Sequence, residues 1–439
     1  MELDMHLRRT GRLAILAVAA ATALAVAGCS TSSKKVAPVP APTATLKAAP
    51  APAISPGVTA DSIKIGFVYP DLSVVKQYVN VDHGDYQAVF TALVDKVNAS
   101  GGINGRKIVP VFGAVNVISP AGAQDTCVHL TQDEKVFAVI GSLNADDALC
   151  YVQIHKTLTV GGDLNASRYL KAQAPWFSDL RGGDAAGDGL KLFDNGGLKS
   201  KKVAVIGYKA DQYTMNSVVA PALKKLGVTP VATAVMDAPI TDPAAVAQQT
   251  GVFVQKFQSV GADAVIVVGG ASGSFPAQLE KATSYRPQLL FTDQGQASAY
   301  SLSSGKHDFS TLNNAQALGI ASDWNNPPNQ ACIDTAEAAI PSLKGALLDP
   351  TTIPTGKPTF GTSENVSCRY LDLFTAIAQK AGKNLTYASF QQAAFSLGSF
   401  VVPGGLEKAN YTPGNPGGAV PLHLFKYDPT QQKWALSTS

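Results

Sequence analysis

Through most of the chain, short apolar runs alternate with segments in which apolar residues recur every three or four positions. After the apolar run IKIGFVY at 63–69, apolar residues recur at Tyr86, Val89, Phe90, Leu93, Val94 and Val97. This spacing of three and four residues places them on one face of an α-helix, so the segment predicts a strand followed by an amphipathic helix. The same reasoning predicts strands at 107–112, 136–141 and 157–162, and helices at 121–134 and 146–153.

The pattern restarts after a break at 174–187. Strands are predicted at 201–207, 231–235, 263–270 and 287–293, with helices at 216–226, 242–260 and 276–284. In DAVIVVGG at 263–270 nearly every position is apolar, which is typical of a strand buried on both faces of a parallel sheet. Repeated βαβ units of this kind predict an α/β protein with two Rossmann-like lobes. Ligands are then expected beyond the carboxyl ends of the strands.

The glycine-rich stretch VNASGGINGRKIVPVF at 97–112 invites comparison with a phosphate loop. Here, however, a helix precedes the glycines and a strand follows them, whereas a phosphate loop connects a strand to a helix N-terminus. Gly101 or Gly102 is expected to end the helix in a left-handed conformation, and Asn104-Gly105 to form a tight turn. The loop therefore belongs at the edge of the sheet opposite the ligand loops.

The first 28 residues form a predicted secretion signal. Arg8, Arg9 and Arg12 precede the apolar segment 13–28, and Cys29 follows it. The sequence LAVAGC resembles a bacterial lipobox, which implies cleavage before Cys29 and lipidation of its thiol. A plain signal peptide with a chance cysteine and an uncleaved membrane helix are the alternatives. The export route, general secretion or twin-arginine, stays open.

Residues 29–60 are predicted to be an extended tether. They are rich in Ala, Pro, Ser and Thr and have no apolar period, so this stretch favours a solvated, extended chain. No second long apolar run follows, and no further membrane span is predicted.

Cysteine content agrees with export, and composition argues against nucleic acid as a partner. The chain is 46% hydrophobic and 15% charged, with a net charge of +3 and no basic run, which gives no electrostatic case for nucleic acid. Besides Cys29 it has an even number of cysteines, which predicts two disulfides. Three pairings are possible. The local one is favoured, joining Cys127 to Cys150 and Cys332 to Cys368. Without CxxC or clustered histidines, no metal is expected.

Enzyme signatures are scarce. The sequence has no GxGxxG, GxxxxGK[ST] or HExxH motif, its six histidines are scattered, and GGASGS at 269–274 has Ser274 where a nucleophile elbow needs glycine. We therefore expect a binding protein, with neither catalytic activity nor a cofactor.

At this point a family resemblance becomes specific. The segments IKIGFVYP, LVDKVNASGGINGRKIVPV, LTQDEKVFAVIGS, KKVAVIGYKADQY and GADAVIVVGG resemble a type I periplasmic binding protein of the branched-chain amino acid (Leu/Ile/Val) group. The resemblance covers 63–324 well. It implies a three-strand hinge between lobe 1, at 61–175 plus 325–398, and lobe 2, at 176–324 plus 399–439. The implied partner is an ABC permease with cytoplasmic ATPases.

The resemblance also implies a ligand site in the strand-end loops. Family positions that hold ligand correspond to Ser142, Asn144, Gly162, Asp163, Tyr213, Ser272 and Asp293. Most have a structural alternative: Ser142 and Asn144 as helix caps, Tyr213 as core packing, Asp163 as a loop or cap residue, and Asp293 as a turn residue. Asp163 lies where the family usually has a Ser/Ala/Thr run that grips a carboxylate. An amine, a polyol or a urea-like compound is thus as compatible as an amino acid.

The sequence therefore predicts a lipid-anchored, extracytoplasmic receptor that captures a small polar solute by hinge closure and delivers it to a permease. The alternative is a sensory or interaction lipoprotein that uses the same ligand-binding fold without transport. A third hypothesis, an extracytoplasmic enzyme dependent on Ser272 or Asp163, has no motif in its support.

Overall fold

A computed structural model describes residues 55–74, 82–119, 121–144, 146–179, 184–194, 197–239, 242–301, 306–353, 357–418 and 420–437. The predicted signal, Cys29 and the tether up to residue 54 lie outside the described residues. Contacts divide the chain into Met1–Ala44 and Thr45–Ser439, and the fold below belongs to the second unit. Among the described residues, no helix is both long and apolar enough to cross a membrane.

The first sheet has five parallel strands in the order β2-β1-β3-β4-β5. They are β1 (Ser62–Asp71), β2 (Lys107–Asn116), β3 (Ala138–Gly141), β4 (Leu158–Gly161) and β5 (Trp176–Phe177). The strands predicted from apolar runs are thus confirmed. Pro110 lies in β2 at the edge of the sheet, where a residue without a backbone N–H is best tolerated.

The second sheet is larger and mixed. The remaining strands are β6 (Val203–Tyr208), β7 (Ala232–Met236), β8 (Ala264–Val268), β9 (Gln288–Phe291), β10 (Gln316–Gly319), β11 (Ser399–Val401), β12 (Lys408–Asn410), β13 (His423–Asp428) and β14 (Lys433–Leu436). Seven form a sheet in the order β14-β13-β10-β9-β8-β6-β7, and β11 pairs with β12. In the seven-stranded sheet, β13 runs antiparallel to both β10 and β14, which makes the C-terminal hairpin β13–β14 an addition to a parallel core.

Helices connect the parallel strands, as the βαβ pattern predicts. They are α1 (Tyr86–Ala99), α2 (Gly122–Val128), α3 (Asp147–Leu149), α4 (Ala166–Tyr169), α5 (Asp184–Asp194), α6 (Ala220–Lys225), α7 (Pro243–Ser259), α8 (Ala271–Leu279), α9 (Gln294–Ser301), α10 (Pro327–Ala339), α11 (Gly361–Ala381) and α12 (Tyr387–Phe395). The predicted start of α7 is confirmed: Asp242 accepts a hydrogen bond from the Ala245 N–H at 3.0 Å, and Pro243 takes the first helical position.

The core of the first sheet extends further along the chain than the sequence indicates. Helices α1, α10, α11 and α12 pack on it, and so do Phe177, Val402 and Tyr411. These three residues fall in the part predicted to be lobe 2. We therefore propose that lobe 1 also contains β5 and the segment around β11 and β12. Ser55 also contacts this body, through its Oγ and the Tyr387 N–H at 3.1 Å, so we propose that the tether ends before Ser55.

The glycine-rich loop after α1 lies where the sequence predicts. Gly102 has φ +71°, and a Cβ there would come within 2.0 Å of the Arg106 carbonyl oxygen, so only glycine fits. Asn104 donates from Nδ2 to the Ala378 carbonyl at 3.0 Å. The loop connects α1 to β2, which it enters at Lys107, and contacts α11 through Asn104. It therefore lies at the amino-terminal edge of the strands, away from their carboxyl ends.

Both local disulfides are present. Cys127–Cys150 joins α2 to the turn after α3, and Cys332–Cys368 joins α10 to α11. The favoured pairing is confirmed. Each bond closes a short loop next to buried core residues.

Removing either disulfide is expected to destabilise the protein. Chain-entropy reasoning predicts a loss of roughly 3–4 kcal/mol of unfolding free energy for Cys332→Ser with Cys368→Ser, and a similar loss for the other pair. Urea unfolding followed by circular dichroism measures it. Unchanged unfolding midpoints in both double variants would contradict a structural role for the bonds.

A buried carboxyl lies next to the second disulfide. Glu364 on α11 is fully buried, and neither of its side-chain oxygens has a hydrogen-bond partner among the described residues. Burial, with a smaller contribution from Asp372, raises the pKa of Glu364 to about 8. Burial also raises the pKa of Asp372 to about 6. The folded protein therefore holds the Glu364 proton at neutral pH.

This proton makes stability depend on pH in a predictable direction. Because the folded-state pKa of about 8 exceeds the ordinary value of 4.5, the folded state binds more protons than the unfolded state between these values. The unfolding free energy should then fall as pH rises through that window. Glu364→Gln should make the unfolding free energy depend less steeply on pH, and should raise it at pH 8 by roughly 1 kcal/mol or more. Denaturant titrations from pH 5 to 8 measure it, with Glu337→Gln on α10 as the control. A parallel pH profile in both variants would refute the assignment.

Candidate functional site

A cleft of about 1250 Å³ lies at the carboxyl ends of the strands of both sheets. Loops after β3 and β4 line one wall through Asn144 and Asp163, and loops after β6, β8 and β9 line the other. The floor is formed where the chain passes between the sheets: at Asp179 after β5, at 318–320 at the end of β10, and at Val420 and Leu422 before β13. The three passages correspond to the three-strand hinge that the resemblance implies.

A buried arginine organises the first wall. Asn165 caps α4 by accepting a hydrogen bond from the Arg168 N–H at 2.9 Å. The Arg168 side chain, only 9% exposed, then donates from Nε to Asp146 Oδ1 at 2.7 Å and from Nη1 to Asp163 Oδ2 at 2.8 Å. Nη1 also donates to the Asp163 carbonyl at 3.0 Å. Arg168 thus fixes both the backbone and the side chain of the loop after β4.

A second carboxylate faces this wall from the other sheet. Asp211 follows β6, and its Oδ2 accepts a hydrogen bond from the Gly270 N–H at 2.9 Å. A Cβ at Gly269, where φ is +54°, would lie 2.3 Å from the Asp211 carboxylate, so the strand-end glycine makes room for the carboxylate. Burial raises the pKa of Asp211, and the negative charge of Asp163 adds to the increase.

Asp293 is the third carboxylate of the cleft. It follows β9 and caps α9, because its Oδ1 accepts a hydrogen bond from the Gln296 N–H at 2.9 Å. Its side chain is open to the cleft but deeply surrounded by protein atoms, and this desolvation raises the pKa of Asp293. The Asp163 charge raises it further. Three carboxylates from two sheets therefore interact across one space.

The structure brings together part of the predicted site. Asn144, Asp163 and Asp293 line the cleft, and Tyr213 lines an adjoining pocket of about 250 Å³ that Asp163 and Asp293 share. The structural alternative predicted for Asp293 is a turn residue; in the structure it caps α9, so this carboxylate has both a structural contact and a face on the cleft.

Three predicted ligand residues have backbone roles and are not among the described residues that line either pocket. The Ser142 N–H donates to the Val68 carbonyl at 3.0 Å. The Gly162 carbonyl accepts from Ser178 Oγ at 2.8 Å, and the fully buried Ser272 donates from Oγ to the Gly269 carbonyl at 2.8 Å. Their ligand role stays a prediction.

Sequence reasoning missed several charged cleft residues. Asp211 lies two positions before Tyr213, in the loop that follows a predicted strand, and that position was a usable signal. Arg168, Asp179 and Arg369 also line the cleft. Asp179 and Arg369 are distant from each other in sequence, whereas Arg168 is only five positions from its partner Asp163.

Among the described residues, two groups have a spacing suited to a metal ion, Cys127–Cys150 with His155 and Cys332–Cys368 with Glu364. In both, the two sulfur atoms are bonded to each other and are no longer thiolates.

Comparison with known proteins identifies the family. The sequence model described as periplasmic binding protein matches residues 62–357, and the chain belongs to this family. No curated protein matches the sequence at a significant level.

Similar solved structures share the fold. One is an ABC transporter substrate-binding protein from Desulfitobacterium hafniense in complex with Leu, with 15% identity, TM-score 0.59, and 86% of this chain and 100% of that chain covered. Another is LivJ of Streptococcus pneumoniae, a branched-chain amino acid transporter substrate-binding protein, in complex with isoleucine, with 16% identity, TM-score 0.59, and coverage of 86% and 99%. A third is a solute-binding protein of Rhodopseudomonas palustris in complex with 3,4-dihydroxybenzoic acid, with 13% identity, TM-score 0.61, and coverage of 85% and 95%. The fold is thus that of type I periplasmic binding proteins.

The coupling between the three carboxylates is testable by titration. Asp163→Asn removes a negative charge, so the pKa values of Asp211 and Asp293 should both fall. Carboxyl ¹³C chemical shifts measured against pH report these values. Asp308, which accepts a hydrogen bond from Arg286 Nη2 at 2.9 Å and is not among the described residues that line the cleft, is the internal control and should titrate as in the parent protein. Unchanged titration of Asp211 and Asp293 would show that Asp163 does not act across the cleft.

Proposed function

We propose that this periplasmic binding protein is the extracytoplasmic, lipid-anchored receptor of an ABC importer. It captures a small polar solute in the cleft between its two sheets and delivers it to a membrane permease driven by cytoplasmic ATPases. The observation that carries this proposal is the cleft itself, whose walls come from both sheets and whose floor is made of the three connections between them. Such connections act as a hinge, so a ligand that contacts both walls favours the closed state.

The ligand is proposed to be an amino acid or a related polar compound. The similar structures hold leucine, isoleucine and 3,4-dihydroxybenzoic acid, which are small molecules that each carry polar groups, a carboxylate among them. In this chain Asp211 and Asp293 provide acceptors for an ammonium or hydroxyl group, and Asn144 provides an amide on the opposite wall. Tyr213 is proposed to close the adjoining pocket over the ligand.

The membrane anchor is proposed to be Cys29. Lipidation there leaves residues 30–54 as the tether, and an extended Pro-rich chain of this length spans roughly 80 Å at about 3.1 Å per residue. The receptor body could then reach a permease in the same membrane while it remains attached.

Ligand binding is expected to raise thermal stability. A screen of amino acids, amines, polyols and amides by differential scanning fluorimetry should yield a ligand that adds about 2.7 kcal/mol of unfolding free energy at 100 times its dissociation constant. Asp293→Asn should weaken that ligand about tenfold or more by calorimetry, because a hydrogen bond to a charged group is lost. Asp85→Asn is the matched control, since Asp85 caps α1 as Asp293 caps α9 and does not line the cleft.

Uptake separates transport from sensing. Cells that lack the protein should regain uptake of the radiolabelled ligand when the parent chain is supplied, and Cys29→Ser should abolish uptake without changing affinity. Unimpaired uptake in cells without the protein would instead support the sensory lipoprotein. Absence of any stabilising ligand in the screen would contradict the receptor itself.

A further inference from the structure

A basic surface lies at the amino-terminal edge of the first sheet, on the side away from the cleft. Lys107 begins β2, and Lys135 and Lys156 shortly precede β3 and β4. Lys380 is in the last turn of α11, and Lys383 is in the turn that follows. All five side chains are exposed. We call these five lysines the basic face.

Contacts between neighbouring elements place the five lysines together. Adjacent strands are about 4.8 Å apart, so the starts of β2 and β4 are about 14 Å apart in the order β2-β1-β3-β4. Arg106, next to Lys107, donates from Nη2 to the Lys383 carbonyl at 2.8 Å. Asn104 Nδ2 donates to the Gln379 carbonyl at 3.2 Å. The end of α11 is thereby joined to the start of β2.

The basic face keeps its positive charge. Nearby, Glu134 pairs with Lys64 at 3.1 Å, and Asp133 lies 3.7 Å from His129. Asp61, just before β1, is a further exposed carboxylate. None of the five lysines forms an ion pair with a residue that the structure describes. The sequence shows no basic run, because these lysines come from four separate parts of the chain.

Two of the lysines have a backbone conformation that favours glycine. Lys135 and Lys156 both have φ +52°, and each lies between the end of a helical segment and the next strand. Glycine is the usual residue at such a position, because a side chain strains a left-handed backbone. The attraction of an exposed lysine to the helix C-terminus is smaller than this strain. Lysine at both positions therefore indicates a role for its charge outside the fold.

The chain that leads to the predicted anchor leaves from the same face. Ser55 Oγ accepts a hydrogen bond from the Tyr387 N–H at 3.1 Å, and the Thr59 carbonyl accepts one from Arg106 Nε at 2.7 Å. The Gly57 carbonyl accepts from the Lys64 N–H at 2.8 Å. Residues 55–59 thus run along this edge. Residues 29–54, which connect them to the anchor, include three lysines and no acidic residue.

We propose that the basic face lies against the anionic lipid headgroups of the membrane that holds the anchor, so that the cleft faces away from the membrane. This inference rests on the proposed function, because it takes Cys29 as the lipid anchor. Each lysine near an anionic lipid surface strengthens binding about fivefold. The attraction extends only over roughly 8 Å at physiological salt, and the tether holds this face close to the membrane.

The opposite edge of the same sheet carries the opposite charge. Asp146 and Asp163 follow β3 and β4, and Asp211 and Asp293 face them across the cleft. An anionic surface attracts the amino-terminal edge and repels the edge that forms the cleft. This orientation leaves the cleft open to solutes while the receptor is attached.

The test uses the mature lipidated chain in vesicles of phosphatidylcholine, alone or mixed in equal amount with phosphatidylglycerol. A low dose of an acetylating N-hydroxysuccinimide ester modifies exposed lysines, and mass spectrometry gives the rate at each position. The internal controls are lysines at the amino-terminal edge of the second sheet. Lys202 precedes β6, and Lys224 and Lys225 lie in the last turn of α6; all three are exposed.

The proposal predicts that Lys135, Lys156 and Lys383 react at least tenfold more slowly in the mixed vesicles, because several lysines at about fivefold each act together. High salt should remove the difference. Lys202 and Lys224 should react at the same rate in both kinds of vesicle.

Charge variants identify the lysines responsible. Lys135→Gln with Lys156→Gln should remove most of the protection of Lys107 and Lys383, since two lysines together contribute about 25-fold. Lys224→Gln with Lys225→Gln is the matched control and should leave the protection unchanged. Lys135→Gly with Lys156→Gly should also remove it, while the thermal unfolding midpoint stays the same or rises because glycine relieves the strained backbone. A purely structural role for these lysines predicts a lower midpoint.

Equal reaction rates in the two kinds of vesicle would overturn the proposal. Equal slowing of Lys202 and Lys224 would do the same, as would undiminished protection in Lys135→Gln with Lys156→Gln. Flotation of the parent chain with vesicles of phosphatidylcholine alone measures the anchor separately. A chain that floats but shows no protection excludes the membrane contact and leaves the anchored receptor intact. A chain that does not float, yet is protected in mixed vesicles, counts against Cys29 as the anchor alone.

Discussion

The parallel alignment of buried strands is the constraint on which the rest of this structure depends. A strand such as β8, apolar at all five positions, is stable only between two layers of helices, and the connecting helices then force its neighbours to run parallel. The carboxyl ends of the parallel strands of one sheet consequently lie at one edge. With two such sheets joined by three connections, both edges line a single cleft, and the residues that follow each strand become its walls.

The two walls of the cleft differ in how their charged side chains are arranged. On the first wall, Arg168 is buried between Asp146 and Asp163, whose side chains are 70% and 44% exposed. Because these carboxylates are largely open to solvent, we infer that the arrangement fixes the loop more than it stabilises the fold. On the second wall, Asp211 and Asp293 are both bound to backbone N–H groups and are both affected by the charge of Asp163. The carboxylates of the two walls therefore repel each other wherever no hydrogen-bond donor lies between them.

Local patterns in the sequence predicted what depends on local contacts. The apolar runs of β6 and β8, the capped start of α7 at Asp242-Pro243 and the glycine-rich turn before β2 each depend on residues within a few positions of one another. The two disulfides also close short loops. By contrast, Asp179 and Arg369 are far apart in sequence, and no periodicity marks their contact. The sequence likewise does not show that Val402 and Tyr411 pack on the first sheet. Either sheet could bury such residues, and only the complete fold determines which one does.

The positions of walls and floor also separate two tasks in binding. The walls belong to elements that move when a hinge closes, so contacts to Asp163, Asp211 and Asp293 depend on the degree of closure. The floor lies on the connections themselves, where closure changes distances least. We infer that the donor groups of a ligand relieve the repulsion between the carboxylates, and that this relief makes the closed state more stable with ligand than without it.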